Sequence, residues 1–325
     1  MTEQSGLVLR RQALATGMSA EEIKRTVRRG EWVAVRRGVY TTRSLWDALE
    51  PRERPLLEVR AASLNMVMPH VISHDSAALL HGMPILEASP ALVHITRFGV
   101  QGGRTRHGVK HHLAPFESKQ IVFIDGLPVL DVARTAVDIC REHGRRHGLV
   151  ACDSALRLLG DRSLLHEAAA PMRSWRHITV VRDCVDRADA GAESVGEGLF
   201  RDLLDELGLG PVETQFGLRA DGRVVFCDMR VGRQIFEFDG HLKYRPEAEG
   251  GVAKRDPADV LWAEKKRQDF VCGFKLGMSR AVWADLMPDR REATKRRVLR
   301  EYTDTCARFG TSIEDLAPYV VRRLR

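Results

Sequence analysis

Three consecutive stretches carry the most information in this chain: Val224-Val225-Phe226-Cys227-Asp228-Met229-Arg230, Val231-Gly232-Arg233 and Gln234-Ile235-Phe236-Glu237-Phe238-Asp239. The outer two are rich in β-branched and aromatic residues and flank a glycine, which predicts two strands around a tight turn. Side chains alternate between faces along a strand. Val225, Cys227 and Met229 share one face of the first strand, and Phe236 and Phe238 share one face of the second, so these five form a predicted core face. Asp228, Glu237 and Asp239 fall on the other face. A hairpin centred on residues 231–233 sets Asp228 opposite Phe236 or Glu237, and directly opposed β-carbons lie about 4.5–5.5 Å apart. Like charges at that separation are destabilising. A divalent cation reverses the penalty, because hard cations take carboxylate oxygens as ligands. The competing reading is a solvated carboxylate face, or one paired with arginine.

Outward from the hairpin, a helix is predicted from about Glu193 to Glu206, with Leu199, Phe200, Leu203, Leu204 and Leu207 at helical spacing. Gly208 and Gly210-Pro211 end it, and Gln215-Phe216 begin a strand. On the far side, a helix over residues 257–271 is expected to pack on the sheet. Arg290, Arg291, Lys295, Arg296, Arg297 and Arg300 make one basic helix face, which is either a nucleic-acid track or a solvated surface.

An ordered set of motifs runs through this region. It comprises Glu193-Ser194-Val195-Gly196-Glu197, Gln215, Cys227-Asp228-Met229 and Phe236-Glu237-Phe238-Asp239-Gly240-His241. Lys243-Tyr244, Glu264-Lys265-Lys266-Arg267 and Arg280-Ala281-Val282-Trp283 follow. The set resembles the PD-(D/E)XK nuclease superfamily, in the branch related to very-short-patch-repair endonucleases, over about residues 189–286. The resemblance implies a restriction-endonuclease-like α/β domain over residues 189–325, with Mg²⁺ or Mn²⁺ as cofactor. It implies that Glu197, Asp228 and Glu237 hold the metal and that the reaction is hydrolysis of phosphodiester bonds. Glu193 fits the same helix face as Glu197. The bland reading of Glu197 is an ion pair with Arg201 one turn on. The chain departs from the superfamily at one point: Asp239 stands where a lysine usually follows the glutamate by two residues. Lys243 and Lys265 are the candidates for that lysine.

The N-terminal segment is short, helical and basic. Residues 10–16 read as a helix ended by Gly17, and Ser19-Ala20-Glu21-Glu22 is a capping-box pattern opening a second helix. Ile23 and Val27 form its apolar seam, Lys24, Arg25, Arg28 and Arg29 its outer surface, and Gly30 its stop. Residues 32–35 and 39–41 then read as strands around Arg36-Arg37-Gly38. Helix, turn, basic helix and basic hairpin together describe a winged helix-turn-helix over residues 1–46. Arg11, Ser19, Lys24, Arg25, Arg28, Arg29, Arg36 and Arg37 are its candidate DNA contacts. Arg11-Gln12-Ala13, Gly17-Met18-Ser19, Ile23, residues 27–32 and Arg37-Gly38-Val39-Tyr40 resemble the N-terminal domain of AbiEi-type antitoxins. That resemblance implies transcriptional regulation, with a cognate toxin or a second copy of the chain as partner.

Residues 47–188 read as a mixed α/β region of the larger AbiEi-type architecture. His111 and His112 are neighbours, so on a strand they point to opposite faces and cannot share a metal. His74 and His81 are seven residues apart. The histidines therefore read as satisfied or surface side chains.

The whole chain has 325 residues, enough for two or three domains, with 44% hydrophobic and 29% charged residues. This balance excludes disorder, collagen and coiled coil as the main state. There is no long apolar run for a membrane helix and no leader pattern, and the six cysteines form no Cys-x-x-Cys pair. A reduced, cytoplasmic chain without membrane contact is expected. Lys and Arg exceed Asp and Glu by 51 to 44, which favours a polyanionic partner. The fold class expected is α+β and multi-domain. The function expected is a DNA-binding protein with a metal-dependent endonuclease-like domain. Its rival is a non-catalytic antitoxin-like regulator that uses the nuclease fold for binding or dimerisation. A third, weaker class is a phosphate-ester enzyme acting on nucleotide or RNA.

Overall fold

The computed structural model describes residues 6–51, 53–87, 92–97, 103–240 and 257–322. The chain is mixed α+β and divides into two compact units. The first comprises Met1–Ala151 and Ser163–Arg182, and the second Cys152–Arg162 and Asp183–Arg325. No helix among the described residues is long and apolar enough to cross a membrane.

In the first unit, the strands Leu7–Leu9, Val39–Thr42 and Trp32–Arg36 form an antiparallel sheet with Val39–Thr42 in the centre. The helices Arg10–Ala15 and Ala20–Arg28 lie between its first and second strands in sequence. The Ala20–Arg28 helix begins at Ser19, whose hydroxyl accepts the Glu22 amide (3.2 Å) while the Glu22 carboxylate accepts the Ser19 amide (2.7 Å). Two otherwise orphaned donors are thereby satisfied. Ile23 is the buried anchor of that helix.

A second sheet of this unit has six strands. In spatial order they are Arg104–Arg106, Val109–His112, Val93–Thr96, Val71–Ile72, Leu127–Leu130 and Ile121–Ile124. Val93–Thr96 and Val109–His112 run parallel, with His94 level with Lys110 and Thr96 with His112. The core here joins Ile72, Ile95 and Val129 of the sheet to Val59, Ala62 and Ala77 of the helices.

In the second unit, the helix Val195–Leu207 is capped by Ser194 and ended by Gly208 at φ +61°. The strands Glu213–Ala220, Arg223–Val231 and Gln234–Phe238 follow as an antiparallel meander. The helix Pro257–Cys272 then carries the chain over to Gly277–Ala281, which pairs parallel with Gln234–Phe238. A crossover of this kind is what a parallel neighbour requires. Val320–Val321 closes the far edge against Glu213–Ala220. The turn between the central strands is Gly232-Arg233, with Gly232 at φ +53°, a conformation that glycine adopts without steric cost.

All five residues of the expected core face are buried, but they do not share one face: Val225 and Cys227 cluster with Ile235 and Val271, whereas Phe236 packs on Phe200. The simple alternation fails on the second strand, where Gln234–Phe238 is buried at every position. A strand covered on both faces loses the in–out pattern. Phe236 meets Phe200 of the first helix edge to face at 5.9 Å. Ile235 belongs to a cluster with Val271 of the crossover helix.

Gly196 marks the closest approach of helix to sheet. A Cβ added there would lie 2.1 Å from the ring of Phe238. Glycine to alanine in an open helix is stabilising. Here Gly196→Ala is expected to lower stability by about 1–3 kcal/mol, the usual cost of overpacking. Thermal denaturation of the purified variant checks this, and an unchanged or raised melting temperature would refute the close approach.

Candidate active site

The strand carboxylates gather in an open cleft of about 450 Å³ in the second unit. Asp228, Glu237 and Asp239 line it together with Glu193 and Gln215. Its remaining wall includes Phe226, Phe238, Glu264, Arg267 and Arg280. The ladder places Met229 opposite Phe236, and neither expected partner, Phe236 or Glu237, is paired with Asp228 in it.

Asp228 sits where the sheet is interrupted on both sides. Toward Gln234–Phe238 the ladder ends at Met229 and Phe236, and Asp228 Oδ2 accepts the Phe238 amide instead (2.8 Å). Toward Glu213–Ala220 the pairing passes from Thr214–Met229 to Phe216–Cys227 and skips Gln215 and Asp228. Gln215 has φ +54°, which is uncommon outside glycine, and its side-chain amide donates to the Gly191 carbonyl (3.2 Å). Non-glycine residues held at positive φ are strained and cluster at active sites.

Glu237 is only 6% exposed and is held by arginine. Arg267 of the crossover helix donates to both of its oxygens, at 2.7 Å to Oε2 and through its other nitrogen to Oε1. Arg267 also donates to the Phe226 carbonyl (2.9 Å). Arg280 lies 3.8 Å from Glu237 Oε2 and pairs with Glu264. Burial works against the charge on Arg267, but the Glu237 hydrogen bonds and charge outweigh it and raise its pKa above the ordinary arginine value. The adjacent Cys227 thiol is pushed up to about 12 by burial and by Glu237, so it stays protonated and unreactive. Among the described residues, no three carboxylates of this cleft bring oxygens within 4.8 Å of one another.

The other predicted residues lie elsewhere. Glu197 is not among those lining the cleft; its Oε2 accepts the Glu193 amide (2.9 Å) at the start of the helix. Arg201, the alternative partner of Glu197, instead forms a buried pair with Asp153, one guanidinium nitrogen donating to both carboxylate oxygens at 2.6 and 2.8 Å. Lys265 is exposed, with Nζ 5.8 Å from the centre of the Trp262 ring, and does not line the cleft. Lys243 lies outside the described residues. Among the described residues, the cations lining the cleft are Arg267 and Arg280. Their spacing to Glu237, 30 and 43 residues along the chain, left no local signal beyond the pairing of Glu264 and Arg267 at one helical turn.

The basic N-terminal residues separate into three settings. Arg11 and Arg37 line one open groove of about 520 Å³ with Arg10, Tyr40 and Asn65. Arg10 went unmarked in the sequence although it adjoins Arg11. Lys24, Arg25, Arg28 and Arg29 are exposed on or just past their helix. Lys24 and Arg28 each lie 3.5 Å from Glu21, and Arg29 lies 3.9 Å from Glu31. Such exposed pairs are worth little and break readily. Arg36 is built into the unit: it donates to the His107 carbonyl (2.6 Å) and lies 3.8 Å from Glu58. Ser19 serves as the helix cap.

Two proteins of Mycobacterium tuberculosis are similar to this chain, Uncharacterized protein MT2308 of strain CDC 1551 / Oshkosh and Uncharacterized protein Rv2248 of strain ATCC 25618 / H37Rv. Each is 27% identical over 233 residues, which is 69% of this chain and 80% of the relative. No family model matches the chain.

Removing one partner of a buried pair leaves the other charge uncompensated. Arg267→Met is therefore expected to destabilise the protein by about 3 kcal/mol, the low end for buried pairs because Arg267 keeps some exposure. Chemical denaturation measures it, and a loss below about 0.5 kcal/mol, the scale of an exposed pair, would contradict the reading.

Proposed function

We propose that this chain binds duplex DNA through its basic N-terminal region and hydrolyses phosphodiester bonds at the Asp228–Glu237 cleft with Mg²⁺ or Mn²⁺. The observation that carries the reading is the set of carboxylates lining one open cleft at an interruption of the sheet. Its setting adds support. The order is helix, three antiparallel strands, crossover helix and a fourth strand parallel to the third, as expected of a PD-(D/E)XK nuclease-like domain.

The donor chemistry suits such an ion. Asp228, Glu237, Asp239 and Glu193 offer oxygen alone, and Mg²⁺ commonly takes one or two protein carboxylates and fills its shell with water and substrate phosphate. Asp228 and Glu237 would hold it, with Asp239 and Glu193 at the rim. When bound, the ion polarises the phosphodiester and lowers the pKa of the attacking water. Arg280, whose side chain is 31% exposed, supplies the positive charge that a lysine provides in related sites and stabilises charge developing on the phosphate oxygens. Arg267 orients Glu237.

The first unit supplies the DNA-binding half. Over residues 7–42 a strand, two helices and a two-stranded hairpin follow one another, which supports the winged helix-turn-helix reading. Arg10, Arg11 and Arg37 offer phosphate contacts around one groove, and the outer face of Ala20–Arg28 offers others. A second reading is favoured by one observation, the Arg267 clamp on Glu237. In it the cleft is a structural ion-pair centre, and the protein is a non-catalytic antitoxin-like regulator that acts with a toxin or a second copy.

Two experiments test the proposal, and the second separates it from the regulator reading. In a salt titration of duplex binding, Arg28→Ala with Arg29→Ala should reduce the log–log slope by nearly two units, because each phosphate contact contributes about 0.9. An unchanged slope removes that helix from the interface. In a cleavage panel of plasmid, duplex, single-stranded DNA and RNA with Mg²⁺ or Mn²⁺, wild type should cleave and Glu237→Gln should not, while DNA binding persists. Arg280→Met should lower the rate by about 10²–10³-fold, the scale of losing one preorganised charge-stabilising contact. A wild type inactive on every substrate leaves the regulator reading.

A further inference from the structure

Four histidines and two carboxylates of the first unit meet, although they are spread along the sequence. His74 and Asp75 open the helix His74–Leu80, and His94 lies on Val93–Thr96. His112 ends Val109–His112, and Glu142 and His143 end the helix Val132–His143. Asp75 Oδ2 lies 2.7 Å from His143 Nε2 and 3.6 Å from His94 Nε2. One donor atom from each of these three residues lies within 4.8 Å of the other two. A tetrahedral ion with bonds of about 2.0–2.1 Å needs donors about 3.3 Å apart, and the two separations bracket that value. Asp75 Oδ1 is buried and has no hydrogen-bond partner among the described residues. Buried acceptors are as a rule satisfied, so this oxygen is open to a water or an ion.

The surroundings orient the same atoms. His94 Nδ1 lies 3.0 Å from His112 Nε2, and His112 Nδ1 faces Glu142 Oε2 at 3.9 Å. A hydrogen bond at Nδ1 fixes the tautomer that leaves Nε2 free as a donor, the usual support of a metal-bound histidine. His74 stacks on His112 with ring centres 3.7 Å apart. His74 holds φ +51°, a strained value for a non-glycine residue, so the backbone pays conformational energy to keep that imidazole in the group.

We propose that Asp75, His94 and His143 form a Zn²⁺ site, with His112 positioning His94. Imidazole nitrogen with one carboxylate suits Zn²⁺, whereas Mg²⁺ and Ca²⁺ favour oxygen alone. Three protein donors leave one tetrahedral position for water or a further ligand. The side chains of Asp75 and His143 are each 15% exposed, which gives the ion an entry edge.

The test is calorimetric titration of Zn²⁺ into the full chain after chelator treatment, with Co²⁺ absorption reporting the ligand geometry. Wild type should bind one Zn²⁺, gain thermal stability with it, and give a tetrahedral Co²⁺ spectrum. Asp75→Asn and His143→Gln nearly preserve side-chain size and should each weaken binding by at least about 100-fold. His112→Gln, a positioning change, should weaken it by about 10-fold. Circular dichroism checks the folding of each variant. If Asp75→Asn does not fold, His143→Gln, at the more open edge, decides. Absence of Zn²⁺ binding in wild type overturns the site, and so does wild-type affinity in the folded variants.

Discussion

Arg267 donates to both oxygens of Glu237, and the arrangement of the second unit turns on that contact. Glu237 lies on a strand buried at every position, where an unpaired carboxylate is costly. Arg267 supplies the compensating charge and, through the Phe226 carbonyl, also joins the crossover helix to the neighbouring strand. Arg280 approaches from the parallel strand. The carboxylate is thus both a structural counter-ion and a metal-ligand candidate. Asp228 adds a second irregularity, since its side chain takes a backbone amide that a regular ladder would have used. Both features place charge and strain where a regular sheet would have neither.

Much of the local structure was legible in the sequence because its signals are local. The Ser19–Glu22 capping box, the glycine turn at Gly232 and the leucine stripe of Val195–Leu207 each involve neighbours in the chain. The carboxylates of the hairpin were legible for the same reason, since strand alternation relates residues only a few positions apart. The pairing of Glu237 with Arg267 was not, because crossover geometry sets it and local spacing does not. Arg36 shows the same limit. It reads as a wing-tip cation, yet its guanidinium is spent on His107 and Glu58. The in–out pattern misled on Gln234–Phe238, because helix packing covers both faces of that strand. Spacing along the chain does not reveal the histidine cluster, which joins residues from two helices and two strands.

The two candidate metal centres differ in donor chemistry and therefore in ion. The cleft of the second unit offers carboxylate and amide oxygen around arginine charge, which suits a hard ion shared with a phosphate substrate. The histidine cluster of the first unit offers nitrogen and one carboxylate in a mostly buried setting. The basic groove around Arg10, Arg11 and Arg37 adds a surface for a polyanion.

The most direct measurement is a calorimetric Mn²⁺ titration of the full chain against Asp228→Asn, both in a His143→Gln background that suppresses the histidine cluster. The chain with Asp228 should bind Mn²⁺, and Asp228→Asn should weaken binding by about tenfold or more, because the amide keeps the shape but loses the charge that holds a hard cation. Equal affinity in the two proteins would contradict it, and would leave Asp228 and Glu237 as parts of an ion-pair centre alone.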